Sequence, residues 1–591
     1  MVSKVAVRAY ASPTMVLLAL DWADAESSAD FLGFAIKRTP GFYKQATSWL
    51  PNRIDFKPPQ KQAVDHPSLQ APIQKFMWWD ARFGSDHGTA KDYTYHVLPI
   101  CGTPKATRPI EAAATDVNVT LPDHVVGGVG TWFNRAVVSS QSFSKLLQDQ
   151  GITHNQKPTA KQDLVLRSWL SNGMEQGLLG VIGQADELAG AIYHLSDLIW
   201  IIPALAKAGD GIPIDIVYDA VIQKDRDTKE PITPVTEAVA MPKLKGKAVF
   251  HPRDKTHIMH NKFLVAGRRL NDENHAMPAR VTMGSANYTT EGLTNQANLV
   301  HTFDSDELAS HYLTRYALLK DNPTLAETAK EAGWSDMTTV GDAAIRVFFS
   351  PEPSKQSKKQ FSRESIDTIV RAITNAKSSV LFCLFSPTDA PLRDACFAAG
   401  DRGRMMFGLL NNISNKEGQE AEDGMKADEK AAIELYHRSK EQRDVVPAAY
   451  FRWDNKPDGF VDENQLYPGE GRPPYPPVII HHKFIVIDGE TDHPIVYSGS
   501  ANMSKNSVNF NDENLLEIVG SGRIADVYIA EFFRLYEHYR ARAHWVDVNV
   551  DKKADTQLIL KASRDAWAAD YLKPGTPQYR ARKAMVKRRM A

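Results

Sequence analysis

HHKFIVIDGETDHPIVYSGSAN, residues 481–502, is the stretch from which the rest of this 591-residue chain is read. Residues two apart share a face of an extended strand, so His481 and Lys483 would stand on one side while Ile480, Phe484 and Val486 enter a core. Asp488 follows five residues after the lysine. Asp488-Gly489 signals a turn, and a second apolar run then ends in Gly499, Ser500, Ala501 and Asn502. The written pattern is HxKxxxxD, a gap, then GSxN. Attack on a phosphodiester wants these residue types together. The phosphoryl oxygens gather negative charge, which Lys483, the Ser500 hydroxyl and the Asn502 amide can meet as donors, and an imidazole can attack or carry the proton.

Displacement at phosphorus through a covalent intermediate needs a nucleophile on one side and an acid on the other, and one such shelf holds one usable histidine. A second copy stands upstream: IMHNKFLVAG carries His260 and Lys262 at the same spacing, and MGSANYT carries Gly284, Ser285, Ala286 and Asn287. A single HxK arises often by chance, whereas two, each trailed by GSAN, are a strong signal. Together they resemble the duplicated signature of the phospholipase D superfamily over about residues 130 to 545. The resemblance implies two similar α/β halves facing each other about a pseudo-twofold axis. It also implies catalysis by His260, Lys262, His481 and Lys483 through a phosphohistidine, with no metal or other cofactor. Ser285, Asn287, Ser500, Asn502, Asp488 and Glu513 would bind phosphate or support the site.

The copies are unequal. Gly267 stands where the second copy has Asp488, and NQAN (295–298) lines up with NDEN (511–514), so Ala297 faces the position of Glu513. If Glu513 or Asp488 serves its own half, His481 becomes the better proton donor and His260 the nucleophile. Across a pseudo-twofold interface Glu513 would instead reach His260. Metal ligation by His481 with His482, or by His257 with His260, is opposed by the adjacent lysines.

Length alone suggests about three domains. The chain carries 70 Lys and Arg against 71 Asp and Glu, so no global field favours a polyanion, and any nucleic-acid contact would be local. Cys101, Cys383 and Cys396 form no CxxC or Cys/His cluster, against a disulfide scaffold or a structural zinc site. The apolar run Met15–Leu20 reads as a strand and not a cleavable signal, and no run suits a membrane span. The expectation is a cytoplasmic protein, with export by another route left open, and a monomer with an internal pseudo-dimer.

In chain order, residues 1–122 read as an all-β sandwich. Val16, Leu18, Leu20 and Trp22 alternate, as do Leu32, Phe34 and Ile36, and then Tyr93, Tyr95 and Val97. The pattern resembles a fibronectin type III domain, which implies a spacer or binding surface that folds by itself and is dispensable for cleaving a small diester. Residues 130–320 and 343–545 read as the two halves, each a mixed sheet flanked by helices and repeating at about 210 to 220 residues. Within them a helix is expected over 164–182, a helical connection over 321–342, and motif strands over 258–266 and 478–488. The Pro/Gly loop 454–477 reads as a wall of the site. Residues 546–591 read as a helical basic tail, with Arg580, Arg582, Lys583, Lys587, Arg588 and Arg589 available to an anionic surface.

A hydrolase or transferase of phospholipid-like diesters is the leading reading, with peripheral contact to a membrane surface. A nuclease is the alternative, and an inactive scaffold that binds a partner through the sandwich is a third. His260→Ala and His481→Ala are each expected to abolish turnover of bis(p-nitrophenyl) phosphate, and EDTA to leave it unchanged. Near-normal activity in either variant would separate the two halves into independent sites.

Overall fold

A computed structural model describes residues 2–57, 64–83, 90–138, 140–152, 157–225, 228–269, 276–355, 360–385, 388–420, 425, 427–448, 478–551, 559–587 and 589. Two mixed sheets dominate. The first runs, in spatial order, through strands Val125–Val126, Val129–Phe133, Leu299–Asp304, Met277–Gly284, Lys262–Arg268, Glu187–Ile192, Ile214–Asp219 and Val249–Arg253. The main path of the second runs through Gly333–Trp334, Ala343–Ser350, Asn511–Val519, Ile495–Gly499, Lys483–Ile487, Ser379–Leu384, Met405–Leu410 and Val445–Pro447. Strand for strand the last seven of each correspond, with parallel pairing confined to the last three of each list.

Helices cover both faces of each sheet. Met174–Ile182 and Ile201–Ala208 bury Leu178, Val181 and Leu205 on the outer face of the first. Glu364–Thr374 and Ala390–Asp401 do the same for the second through Ile366, Ile369 and Phe397. The inner faces share one apolar cluster with helices Asp306–Lys320 and Gly522–Asp551, where Phe263 and Val281 meet Tyr312, and Phe484 meets Tyr528.

The motif strands start later than their alternation suggests. Ile258–Met259 pairs in parallel with Asn511–Asp512 of the other sheet, and Ile480 bridges Ala297 in the same sense. The regular strands begin only at Lys262 and Lys483, so each histidine lies in the short link between a cross-half pairing and its own sheet. The helix expected over 164–182 is two, Ala160–Ser171 and Met174–Ile182. Asn172 (φ 55°) and Gly173 (φ 82°) adopt the left-handed conformation that ends the first. The connection 321–342 is largely not helical. Gly333–Trp334 and Thr338–Val340 both pair with Ala343–Ser350.

The first 122 residues form a three-stranded antiparallel sheet (Ala6–Ser12, Met15–Asp21, Met77–Asp80) and a five-stranded one built on Phe31–Thr39 and Asp92–Thr103. Along Met15–Asp21 the two faces divide by parity. Val16, Leu18 and Leu20 fill the cluster shared with the five-stranded sheet, whereas Met15, Leu17 and Ala19 join the cluster between the two large sheets. Independence is therefore not what the structure shows, because the outer face of this strand is covered by the rest of the chain. The C-terminal segment closes the other side. In helix Arg564–Leu572, the Trp567 ring lies 5.3 Å from Phe31 and 5.7 Å from Phe76.

Four of the basic C-terminal residues are also taken up internally, while Lys587 is exposed. Arg582 is fully buried against Asp21, and Lys583 shares that carboxylate at 3.0 Å. Arg580 donates to Gly400 O, and Arg589 pairs with Asp526 at 2.9 Å. The 454–477 loop lies outside the described residues.

Trp567→Ala removes a large ring from the cluster under the N-terminal sheets. It is expected to cost about 2 to 3 kcal/mol, read as a lowered urea midpoint. An unchanged midpoint would mean that the C-terminal helices do not hold the N-terminal sheets.

Candidate active site

Each histidine is held by the half it does not belong to. The amide of His260 donates to Asp512 O (2.9 Å), and the amide of His481 donates to Ala297 O (3.1 Å). Both side chains are buried, at 6 % and 8 % exposure, and both lysines at 0 %. Each lysine folds back so that Nζ donates to the carbonyl of its own histidine, at 2.7 Å in both cases. The four groups stand close enough to oppose one another's protonation. Burial, then Lys262 and Lys483, hold His260 well below the ordinary histidine value, and burial, then Lys483 and Lys262, do the same for His481. Burial lowers both lysines, Lys483 to about 7.

Behind the rings the two copies differ. Glu513 Oε2 lies 3.3 Å from His260 Nδ1, at ion-pair distance without hydrogen-bond alignment, while its Oε1 accepts from Asn511 Nδ2 at 2.7 Å. Burial raises the Glu513 carboxyl to about 7. His481 Nδ1 instead meets Asn298 Oδ1 at 2.9 Å. Asn298 Nδ2 donates to Gly292 O, so its oxygen must be the acceptor and His481 Nδ1 carries the proton. Glu513 therefore does not serve its own half, as one expectation had it. The strand Asn511–Val519 enters across from Ile258–Met259 and aims the carboxylate at the other histidine.

Among the remaining expected residues, Asp488 faces away from the rings. Its carboxylate accepts from the backbone amides of Lys377, Ser378 and Ser379 and fixes the turn behind the motif strand, so it supports the site by position. The Ser285 hydroxyl donates to Asn298 Oδ1 and accepts from Leu299 N, and the Ser500 hydroxyl accepts from Asn514 N. Both hydroxyls thus join turn to strand; the Ser285 proton is spent on Asn298, while among the described residues the Ser500 hydroxyl only accepts and keeps its proton for another acceptor. Asn287 and Asn502 behave alike: each side-chain amide has its Oδ1 buried with no partner among the described residues. The orphaned atom in each is an acceptor, so a donor and not a phosphoryl oxygen would complete it.

Two aromatic residues escaped the motif reading. Tyr193 lies edge-on to His260 at 5.0 Å with Lys262 Nζ 4.9 Å from its ring, and Phe385 lies 5.4 Å from both the His481 ring and Lys483 Nζ. Each follows a parallel strand by one residue, and its amide bonds the carbonyl after the motif histidine, Asn261 O or His482 O. The recoverable signal is an aromatic residue just past the same strand of each repeat. Another unequal pair lies beside the crossing points. Asp219 Oδ1 accepts from Met259 N at 2.8 Å, where the second half has Asn411 accepting from Ile479 and Ile480, and burial raises Asp219 to about 7.

Among the described residues no cluster of three or more His, Cys, Asp or Glu could hold a metal ion, and no helix is long and apolar enough to cross a membrane. The cysteines are buried and unpaired.

Residues 369–536 match the family model described as cardiolipin synthase, PLD-like domain, so the second half carries the sequence pattern of a PLD-like domain. No curated protein sequence matches the chain. Similar solved structures include phosphatidylserine synthase from Haemophilus influenzae Rd KW20, at 11% identity and a TM-score of 0.41, covering 66% of this chain and 94% of that one. Nuc from Salmonella typhimurium, described as a phospholipase D family member, is 18% identical with a TM-score of 0.18, covering 34% and 95%. NucT from Helicobacter pylori is 18% identical with a TM-score of 0.22, covering 33% and 96%.

Lys483 provides a measurable consequence. With its folded value near 7 and its ordinary value 10.5, the unfolded chain holds a proton that the folded chain lacks between those limits. Stability contributed by this group therefore rises with pH across that window, and its full cost is present below 7. Lys483→Met is expected to be more stable than the parent by about 2 kcal/mol at pH 6, the lead shrinking toward pH 10. A lead that grows with pH in a urea series would reject a buried, depressed ammonium.

Proposed function

We propose that the two halves are related by a pseudo-twofold axis and form one site for phosphodiester cleavage or phosphatidyl transfer, with a phospholipid-type diester as substrate. The observation that carries this is the crossed support of the two rings: His260 is backed by Glu513, and His481 by Asn298, each from the other half. The family description over residues 369–536 supports the lipid class, as does a formal net charge of only -1, which gives no field for a polyanion. The basic tail on which the nuclease alternative leaned has Arg580, Arg582, Lys583 and Arg589 occupied within the fold.

The roles follow from where charge develops. As His260 Nε2 attacks phosphorus its ring gains positive charge, which the Glu513 carboxylate stabilises through the Nδ1 side. The bond from phosphorus to the leaving oxygen breaks, and His481, which takes up a second proton at Nε2 once the substrate anion offsets the two lysines, delivers that proton to the oxygen. His481 loses positive charge in this step, and a neutral amide behind it makes the imidazolium the stronger acid. A water or alcohol then gives its proton to His481 and attacks the phosphohistidine, returning His260 to its neutral form. The substrate anion restores the charged state of Lys262 and Lys483, which burial otherwise disfavours. The Nδ2 groups of Asn287 and Asn502 are the donors these side chains can offer to the phosphoryl oxygens, and Tyr193 and Phe385 keep water from the rings.

Turnover quenched with denaturant, followed by peptide mapping, is expected to place the phosphoryl label on His260; label on His481 with none on His260 reverses the roles. Headgroup release set against oligonucleotide cleavage across a salt series ranks the substrates. Asn298→Asp puts a carboxylate behind the acid. It is expected to lower kcat about 10-fold and to move the alkaline limb of the pH profile upward, because His481 then keeps its proton to higher pH.

A further inference from the structure

A cavity of about 470 Å³ lies away from the histidine–lysine centre, where the N-terminal sheets, the first half and the helix Gly522–Asp551 meet. It is on the other side of the motif strand. His482, which alternates with His481 and Lys483, turns its ring toward Phe133 and Glu531, and both of these line the cavity. Among the described residues its lining holds five cationic side chains, Arg53, Arg82, Arg135, Arg534 and Lys145, against two carboxylates, Asp65 and Glu531.

The carboxylates are spent. Asp65 is shared by Arg53 and Arg82 at 3.0 Å each, and Glu531 pairs with Arg534 at 2.7 Å. Arg135 is left without an acid partner among the described residues. Its Nη1 donates to Trp169 O at 2.6 Å, and its guanidinium lies 4.5 Å from the Trp169 ring centre. Its charged neighbour is another guanidinium, since Arg534 donates to Arg135 O at 3.0 Å. Burial and that neighbour lower Arg135 to about 10. His538 adds an imidazole whose Nε2 is buried with no partner and which burial holds neutral. Arg135 and Arg534 are half-buried cations that oppose each other, and the carboxylate beside them, Glu531, is paired with Arg534, so the pair is short of one anion. Phe42, Phe83 and Trp169 give the cavity apolar walls, and its volume is that of a small-molecule site.

We propose that this cavity is a second binding site, distinct from the catalytic centre, for a small organic phosphomonoester whose anionic head sits between Arg135 and Arg534 and whose apolar body lies against Phe42, Phe83 and Trp169. The guanidinium fork matches phosphate in a way that an ammonium does not. The site gives the N-terminal sheets a task, because Arg53, Asp65, Arg82 and Phe83 build one wall. It also touches the centre: Asn134, beside Arg135, accepts from Asn298 N through Oδ1 at 2.9 Å, and Asn298 is the residue behind His481.

Calorimetric titration of the full chain with phenyl phosphate tests it, with inorganic phosphate and benzoate as parallel arms. Two sites per chain are expected, one lost in Lys483→Met and the other in Arg135→Gln. The cavity site should bind phenyl phosphate at least about 10-fold more tightly than inorganic phosphate. A single site that disappears in Arg135→Gln and survives Lys483→Met would support the cavity and count against a phosphate site at the centre. Unchanged stoichiometry and affinity in Arg135→Gln overturn the proposal, and tighter binding of benzoate than of phenyl phosphate overturns the phosphate class. If Arg135→Gln does not fold, Lys145→Glu replaces it, on an exposed helical position at the cavity mouth. It is expected to weaken phenyl phosphate about 10-fold at the cavity site alone, and an unchanged affinity overturns the proposal.

Discussion

The exchange of backbone bonds between the halves, His260 N to Asp512 O and His481 N to Ala297 O, is the constraint on which the rest of the centre depends. Each motif segment must leave its own sheet for two or three residues to make it, so the histidines sit on links, not on strands. A link has no neighbouring strand to set side-chain direction, and the direction is set by what the other half supplies. Asn514 Nδ2 donates to Asn261 Oδ1 at 2.8 Å on one side, and Asn298 holds His481 on the other. The lysines then start the strands, where their stems are packed and Nζ has one reachable acceptor, the preceding histidine's carbonyl. Neither half can build this geometry alone.

The two halves share a backbone plan and differ in charge. At three corresponding positions one half has a carboxylate and the other a neutral group: Glu513 and Ala297, Asp219 and Asn411, Asp488 and Gly267. Asp488 only fixes a turn, so its loss in the first half has no effect on the rings. The other two matter because they are buried. Glu513 and Asp219 are both raised to about 7 and both act on Lys262, whereas Lys483 is acted on by Glu513 alone of the two and His481 has an amide behind it. Two chemically equal rings are thereby made unequal by groups that touch no substrate.

The pairing of HxK with GSAN was legible because duplication is a pattern in the sequence itself, and the strand order of each half followed from apolar runs alternating with helical ones. Hidden from such reading was everything set across the halves. Glu513 is two residues from Asn511 in sequence and on the wrong side of the interface for its own histidine. No local pattern distinguishes a carboxylate that serves its neighbour from one that crosses. Ser285 and Ser500 read as phosphate donors by type; each accepts from a backbone amide of the strand that comes after it, but among the described residues only Ser285 also spends its proton within the protein. The basic C-terminus failed for the same reason. Arg582 looks solvated in sequence, but Asp21, more than five hundred residues away, makes it a buried ion pair.

Asp512 shows how the crossing is made unique. It is adjacent to Glu513, and strand alternation turns it to the opposite side, where it accepts from Arg253 Nε at 2.8 Å and lies 3.5 Å from Arg315. All three are buried at 2 % exposure or less. The remaining Arg253 donors go to Asn322 and Thr328, whereas Arg315 Nε and Nη1 have no partner among the described residues and burial lowers that guanidinium to about 10. Such a network contributes little net stability, since desolvation offsets most of its attraction. Its effect is on register. A shift by one residue would turn Asp512 to the histidines and Glu513 to the arginines. That would leave two guanidiniums against a longer side chain and His260 against a carboxylate too short to reach it. The charges that the interface buries therefore select the one pairing in which Glu513 crosses to His260.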